Sequence, residues 1–323
     1  MMTMREIINN FPKQLGYKPE IQNESKLKRS FNRFIVSGMG GSNLAPPLIK
    51  ILRPGINIES YRNYGLPLRI DSKKTLIICN SYSGNTEEVL DCFVECLKNK
   101  LKVAVISTGG KLLDLAKSNK VPYIQLPDVG LEPRFALGFS LLATLKILGE
   151  VELFEVASLV SNSLKSEKYE EGGQVLASKL KNFVPVFYSS SKNEGIVYNW
   201  KIRFNENVKI PAFYNVLPEL NHNEMIGFLS KPNQFRDKFS CVLFKDSTDH
   251  PSIKRRMVIL EEMLKSNAVS FCVLDLDNSG TVFKKIFSSL ILADWTSYHL
   301  SREYGVDPLE VDLIEKFKER LKA

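Results

Sequence analysis

A chain of 323 residues, 44% of them hydrophobic, is long enough to bury a large core and to divide into two domains. Its 44 basic and 36 acidic residues leave a net charge of +8, which favours an anionic ligand but is too diffuse to serve a nucleic acid. The five cysteines form no C-x-x-C pair and no apolar run approaches membrane-spanning length, so the expectation is a soluble, cytoplasmic protein without metal, cofactor, nucleic-acid or membrane partner.

In chain order, residues 1–30 read as one or two short helices interrupted at Pro12, Gly16 and Pro19. Arg33 to Ala45 reads as a strand running into the glycine-rich turn Gly38-Met39-Gly40-Gly41-Ser42 and a helix, without the spacing of a dinucleotide fingerprint. Residues 56–62 are strand-like. The apolar run Thr75 to Asn80 then leads into Ser81-Tyr82-Ser83-Gly84-Asn85-Thr86-Glu87-Glu88 and a helix. Unpaired amides and a positive dipole end make a helix start hospitable to an anion. The alternative is a capped helix start with Glu88 closing a capping box. One cap needs one hydroxyl, and this loop offers three, at Ser81, Ser83 and Thr86. A lysine is absent from the loop, so a single phosphate fits better than a nucleoside triphosphate. Leu101 to Gly110 gives the next strand and turn, residues 111–119 a helix, and Val121 to Leu126 a further strand. Glu132-Pro133-Arg134 opens an apolar helix, Phe135 to Leu148. Strands alternating with helices, each strand ending in Gly or Ser, predict a parallel sheet whose ligand lies beyond the strands' carboxyl ends.

The pattern restarts near residue 151. Phe183 to Ser191 is a strand ending in hydroxyls, and Asn193 to Phe204 the helix after it. Phe239 to Phe244 and Val269 to Leu274 echo the strands at 75–79 and 101–106, which reads as a degenerate duplication of one α/β unit. In place of the hydroxyl loop stands Lys245-Asp246-Ser247-Thr248-Asp249, whose two carboxylates would repel phosphate, so only the first half should hold the anion. Val282 to Tyr304 is a long apolar helix, followed by a charged terminal one. The expected division is 1–152 and 153–323.

Between the strands of the second half lies Arg203-Phe204-Asn205-Glu206-Asn207, then Leu217-Pro218-Glu219-Leu220-Asn221-His222-Asn223-Glu224. Carboxylates and a histidine set among asparagines supply a base, an acid and neutral orienters for proton transfer. A solvated interdomain loop with an incidental histidine is an equal reading of the same residues. His250 and His299 read as surface or structural residues.

Taken together and in this order, Gly38 to Ser42, Ser81 to Glu88, Glu132-Pro133-Arg134, Asn205-Glu206-Asn207 and Pro218 to Glu224 resemble the bifunctional phosphoglucose/phosphomannose isomerase family, built from two sugar isomerase (SIS) domains. The resemblance implies two tandem α/β SIS domains, each a parallel sheet flanked by helices. It also implies reversible conversion of glucose 6-phosphate and mannose 6-phosphate to fructose 6-phosphate through a cis-enediolate. It places phosphate on Ser81, Ser83 and Thr86 with help from Gly40, Gly41 and Ser42. Glu206 becomes the base between C1 and C2, and Arg134 the cation beside the enediolate. His222, contributed by the neighbouring subunit of a homodimer, opens the sugar ring. Thr296, within Ala293 to Tyr298, stands where single-substrate isomerases carry a bulkier amide and so leaves room for either C2 epimer. Without the resemblance, Arg134 reads as a surface partner of Glu132, and Glu219 and Glu224 rival Glu206, though they suit orienting His222 better. Two other readings remain beside it: a phosphosugar-binding regulator built on SIS domains, and an isomerase of another sugar phosphate.

Overall fold

The structure, a computed structural model, describes residues 2–27, 30–230 and 234–322. After helix α1 (Met4–Gln14) come five strands, β1 (Arg33–Ser37), β2 (Ile58–Tyr61), β3 (Thr75–Asn80), β4 (Val103–Ser107) and β5 (Tyr123–Gln125). They form one parallel sheet in the order β2-β1-β3-β4-β5. Every residue of β3 and β4 is buried, as expected of central strands covered on both faces. The connecting helices are α2 (Ala45–Leu52), α3 (Glu87–Lys98), α4 (Gly110–Ser118), α5 (Leu137–Leu148) and α6 (Val151–Ser163). Helix α3 turns Val89, Cys92, Phe93 and Cys96 inward at helical spacing against Ile77, Cys79 and Val105. Helix α5 is apolar nearly all round and buried along most of its length, and it stops at Gly149 in the left-handed conformation, φ 82°.

The second sheet comprises β6 (Val184–Ser190), β7 (Phe213–Leu217), β8 (Phe239–Lys245) and β9 (Ser270–Asp275), parallel and in the order β7-β6-β8-β9. Around it lie α7 (Glu170–Leu180), α8 (Glu194–Arg203), α9 (Glu224–Leu229), α10 (Pro251–Ser266), α11 (Val282–Glu303) and α12 (Asp312–Lys322). Phe187, Trp200, Phe204 and Phe244 make an aromatic core with ring centroids 5.0 to 6.3 Å apart. Helices α7 and α11 approach closely at Gly173, where a Cβ would lie 2.5 Å from the Trp295 Cβ. The order β7-β6-β8-β9 repeats β2-β1-β3-β4, so β8 and β9 correspond to β3 and β4, the pairing expected from the sequence.

By its internal contacts the chain divides between Leu164 and Lys165, with residues 2–8 grouped with the second unit. One expectation is corrected. The polar stretch between α8 and β8 is not a loop: Phe204–Val208 continues α8 as a π-helical turn, β7 follows, and Glu219–His222 forms a 3-10 turn before α9. β7 is a short edge strand with only Leu217 buried, and Asn215 interrupts its otherwise apolar residues. Among the described residues no helix is long and apolar enough to cross a membrane.

Candidate active site

In a sheet of order 2-1-3-4-5 the crossovers leave in opposite directions between β1 and β3, opening a crevice at the strands' carboxyl ends. The Gly38–Asn43 and Ser81–Thr86 turns both start there. Ser81 is fully buried, with its hydroxyl 2.8 Å from that of Thr86 and accepting the Gly84 amide at 3.1 Å. Thr86 is the N-cap residue of α3, yet its side chain makes no capping hydrogen bond. The capped-start alternative is thereby set aside, and the first amides of α3 keep no side-chain acceptor among the described residues. Gly84 has φ +69°, and a Cβ there would lie 1.8 Å from the Gly109 carbonyl oxygen, so only glycine fits. The loop is braced from the β4 side, where the Thr108 hydroxyl donates to the Tyr82 carbonyl at 2.6 Å and the Leu112 amide to that of Gly84 at 2.9 Å. Ser83 remains exposed at the tip. Burial, with Asp128 nearby, pushes the Tyr82 phenol up to about 12.

The β1 turn locks onto this loop. The Ser42 hydroxyl accepts the Tyr82 amide at 2.9 Å, and the buried Asn80 side chain donates to the Ser42 carbonyl and the Ser140 hydroxyl, each at 2.7 Å. Gly40 faces open space at φ +48°. Gly41 does not: a Cβ there would stand 2.4 Å from the Arg134 amide nitrogen, so the turn carrying Arg134 packs directly on it. Arg134 is 1% exposed, lies over the Phe135 ring at 4.6 Å and reaches Glu132 only at 4.0 Å. That contact is the pair expected from sequence, but it is long and Arg134 is not at the surface. Three expected groups, the Gly38–Asn43 turn with Ser42, the Ser81–Thr86 loop and Arg134, thus meet at one edge of the first sheet.

In the second unit Glu206 sits half-buried in the π-helical turn. Insertions of this kind occur disproportionately at functional positions because they displace one residue out of helical register. The turn is anchored on both sides. Asn207, fully buried, donates to the Ser297 hydroxyl at 3.0 Å, and Arg203 pairs with Asp294 at 2.6 Å with both side chains buried. Lys209, left-handed at φ 62°, ends the turn and donates to the Glu206 carbonyl at 2.6 Å. His222 ends the 3-10 turn, is exposed, and makes no hydrogen bond to any described residue. Glu224 is tied elsewhere, accepting from the Tyr188 hydroxyl at 2.6 Å and from Asn215 at 2.5 Å, while Glu219 accepts from Asn223 at 2.7 Å. Neither orients His222 through a hydrogen bond, contrary to the sequence reading. Burial, then Cys241 and Glu224, pushes the Tyr188 phenol far above its ordinary value. Thr296 is fully buried, its hydroxyl donating to the Leu292 carbonyl at 2.7 Å. His250 caps α10 by accepting the Ser252 amide at 3.1 Å, and His299 lies 3.5 Å from Glu170.

A bifunctional phosphoglucose/phosphomannose isomerase from Aquifex aeolicus is 34% identical over 90% of this chain and 91% of its own. The chain belongs to the bifunctional phosphoglucose/phosphomannose isomerase family. Residues 170–321 match the family model described as the bacterial phospho-glucose isomerase C-terminal SIS domain. A D-glucosamine-6-phosphate 4-epimerase from Sulfolobus acidocaldarius is 28% identical over 94% of each chain. The fold is shared with the C-terminal domain of glucosamine-fructose-6-phosphate aminotransferase from Francisella tularensis, with a TM-score of 0.72 at 14% identity over 95% of this chain and 98% of that one. In this chain, the residues that sequence reasoning passed over are the anchors: Asn80, Arg203 and Asp294. Their signal was a polar residue inside an otherwise apolar element, which needs a partner when buried.

Proposed function

We propose that this chain interconverts glucose 6-phosphate and mannose 6-phosphate with fructose 6-phosphate by moving a proton between C1 and C2. The observation that carries the proposal is Glu206, a half-buried carboxylate displaced from helical register on a turn pinned by Asn207, Lys209 and Arg203, in a chain of this family. A proton α to a carbonyl is a very weak acid, so its removal needs a placed base and a cation near the developing oxyanion. Glu206 is the base and Arg134 the cation. Ser81, Ser83 and Thr86, with the unfilled first turn of α3, hold the phosphate, and Gly40, Gly41 and Ser42 shape the adjoining turn. His222 acts on the ring oxygen from the neighbouring copy of a cytoplasmic homodimer, and its exposure and lack of a hydrogen bond to any described residue support that assignment. Thr296 acts by its small volume, since its hydroxyl already bonds Leu292.

The test is fructose 6-phosphate in deuterated water followed by NMR. Label at C2 of both glucose and mannose 6-phosphate is expected; no exchange sinks the isomerase reading and leaves the phosphosugar-binding regulator. The 4-epimerase relative favours a second reading, chemistry on an amino-sugar phosphate. Glucosamine 6-phosphate in the same assay decides it by whether a C4 epimer forms.

A further inference from the structure

The second unit contains a buried charged cluster for which the isomerase chemistry has no use. Its position is set by the duplication. β1 and β6 each lead into a 3-10 turn that ends in a buried asparagine, Asn43 and Asn193. β3 and β8 each lead through a short loop into a helix. Both loops begin with the same backbone bond, from the Gly84 amide to the Ser81 carbonyl and from the Asp249 amide to the Asp246 carbonyl, each 3.1 Å. Asp246 therefore stands where the first unit has Ser81.

The surroundings of Asp246 are those of a bound oxyanion. Its carboxylate accepts from Lys285 at 2.8 Å, Asn193 at 2.9 Å, the Thr248 amide at 2.8 Å, the Thr248 hydroxyl at 2.6 Å and Asn278 at 3.0 Å. Lys192 stands 3.5 Å away. Asp246 is 2% exposed and Lys285 3%, so a cation and its anion are sealed together inside the unit. A second carboxylate, Asp249, accepts from the Ser190 hydroxyl at 2.8 Å. The helix start beyond is also closed, by His250 on α10, whereas α3 has no side-chain cap. The aspartates do not stand open to repel phosphate; they are paired inside.

We propose that the second unit carries a closed copy of the phosphate site in which the Asp246 carboxylate is a built-in anion. The intact chain then binds one phosphate ester, and removal of the two carboxylates opens a second site for a phosphate-class oxyanion on Lys285, Lys192, Asn193 and Thr248. The count of one rests on the phosphate role proposed for the Ser81–Thr86 loop, whereas the gained site does not.

The probe is inorganic phosphate, titrated calorimetrically into the full chain. The parent carries Ser83→Ala and Thr86→Ala and is expected to show no saturable binding. Adding Asp246→Ser and Asp249→Ser should restore one equivalent per chain, lost again with Lys285→Met. Should the serine variant not fold, Asp246→Asn with Asp249→Asn keeps the shape, and phosphate should raise its Tm relative to the parent. A folded variant of either kind that gains no phosphate binding overturns the proposal. So does a parent with both aspartates that retains one equivalent which Lys285→Met removes. Failure of the intact chain to bind phosphate, with the gained site still present, refutes the first loop's role alone.

Discussion

The Arg134 amide nitrogen occupies the space where a side chain at Gly41 would begin, 2.4 Å from an ideal Cβ. The glycine of the β1 turn is thus a packing requirement for the turn that carries the proposed cation. Gly41→Ala must push Pro133 and Arg134 away, because the two nearest obstructing atoms are backbone. A displacement of about 1 Å at a reacting centre costs on the order of 100-fold in rate. Steady-state kinetics on Gly41→Ala should show kcat/KM down by about that factor, with the phosphate affinity of the Ser81–Thr86 loop little changed. Wild-type kcat/KM would show that Arg134 needs no such support.

The hydroxyl loop should act on binding. A phosphate is held alike in ground and transition states, so Ser83→Ala with Thr86→Ala removes uniform binding. Each charge-assisted hydrogen bond contributes about 1.5–3 kcal/mol, so KM should rise by at least about 10-fold with kcat nearly unchanged. A fall in kcat at constant KM would contradict that role.

Beneath Glu206, the buried Arg203–Asp294 pair should be one of the most sensitive points of the second unit. Asp294→Ala strands a buried guanidinium, and breaking a buried pair this way costs about 3–5 kcal/mol. Chemical denaturation should register that loss. A change under about 1 kcal/mol would mean that other groups neutralise Arg203.

Asp246 gives the fold an acid-dependent element. Burial acts to raise its pKa, but hydrogen bonds from Lys285, Thr248 and Asn193 outweigh it and hold the carboxyl below its ordinary 3.8. A depressed folded-state value contributes stability that is complete above 3.8 and lost as pH falls through the lower folded value. The stability gap between wild type and Asp246→Asn should therefore be constant above about pH 5 and shrink below 3.8. A gap independent of pH from 5 to 2 would refute the assignment.

What the sequence made legible was local. The loop from Ser81 to Thr86 lies within six consecutive residues between a fully buried strand and an amphipathic helix, so its chemistry and its position could both be read directly. The central strands were equally plain, being buried on both faces. β7 was hidden because it is short and exposed on the sheet edge, with Asn215 interrupting its apolar residues and only Leu217 buried. The anchors were hidden for another reason. Arg203 and Asp294 are 91 residues apart, and Asn80 and Ser140 60 apart, so their pairing exists only once the sheets form. The two aspartates after β8 were visible as charges, but their neutralisation by Lys285, 39 residues on, was not.

The central claim is that Glu206 moves the proton, and one variant tests it most directly. Glu206→Gln keeps the shape of the π-helical turn and removes the base. With fructose 6-phosphate in deuterated water, the account predicts loss of C1 and C2 exchange by at least about 1,000-fold, with phosphosugar affinity within about 3-fold of wild type. Exchange at the wild-type rate in that variant would contradict it.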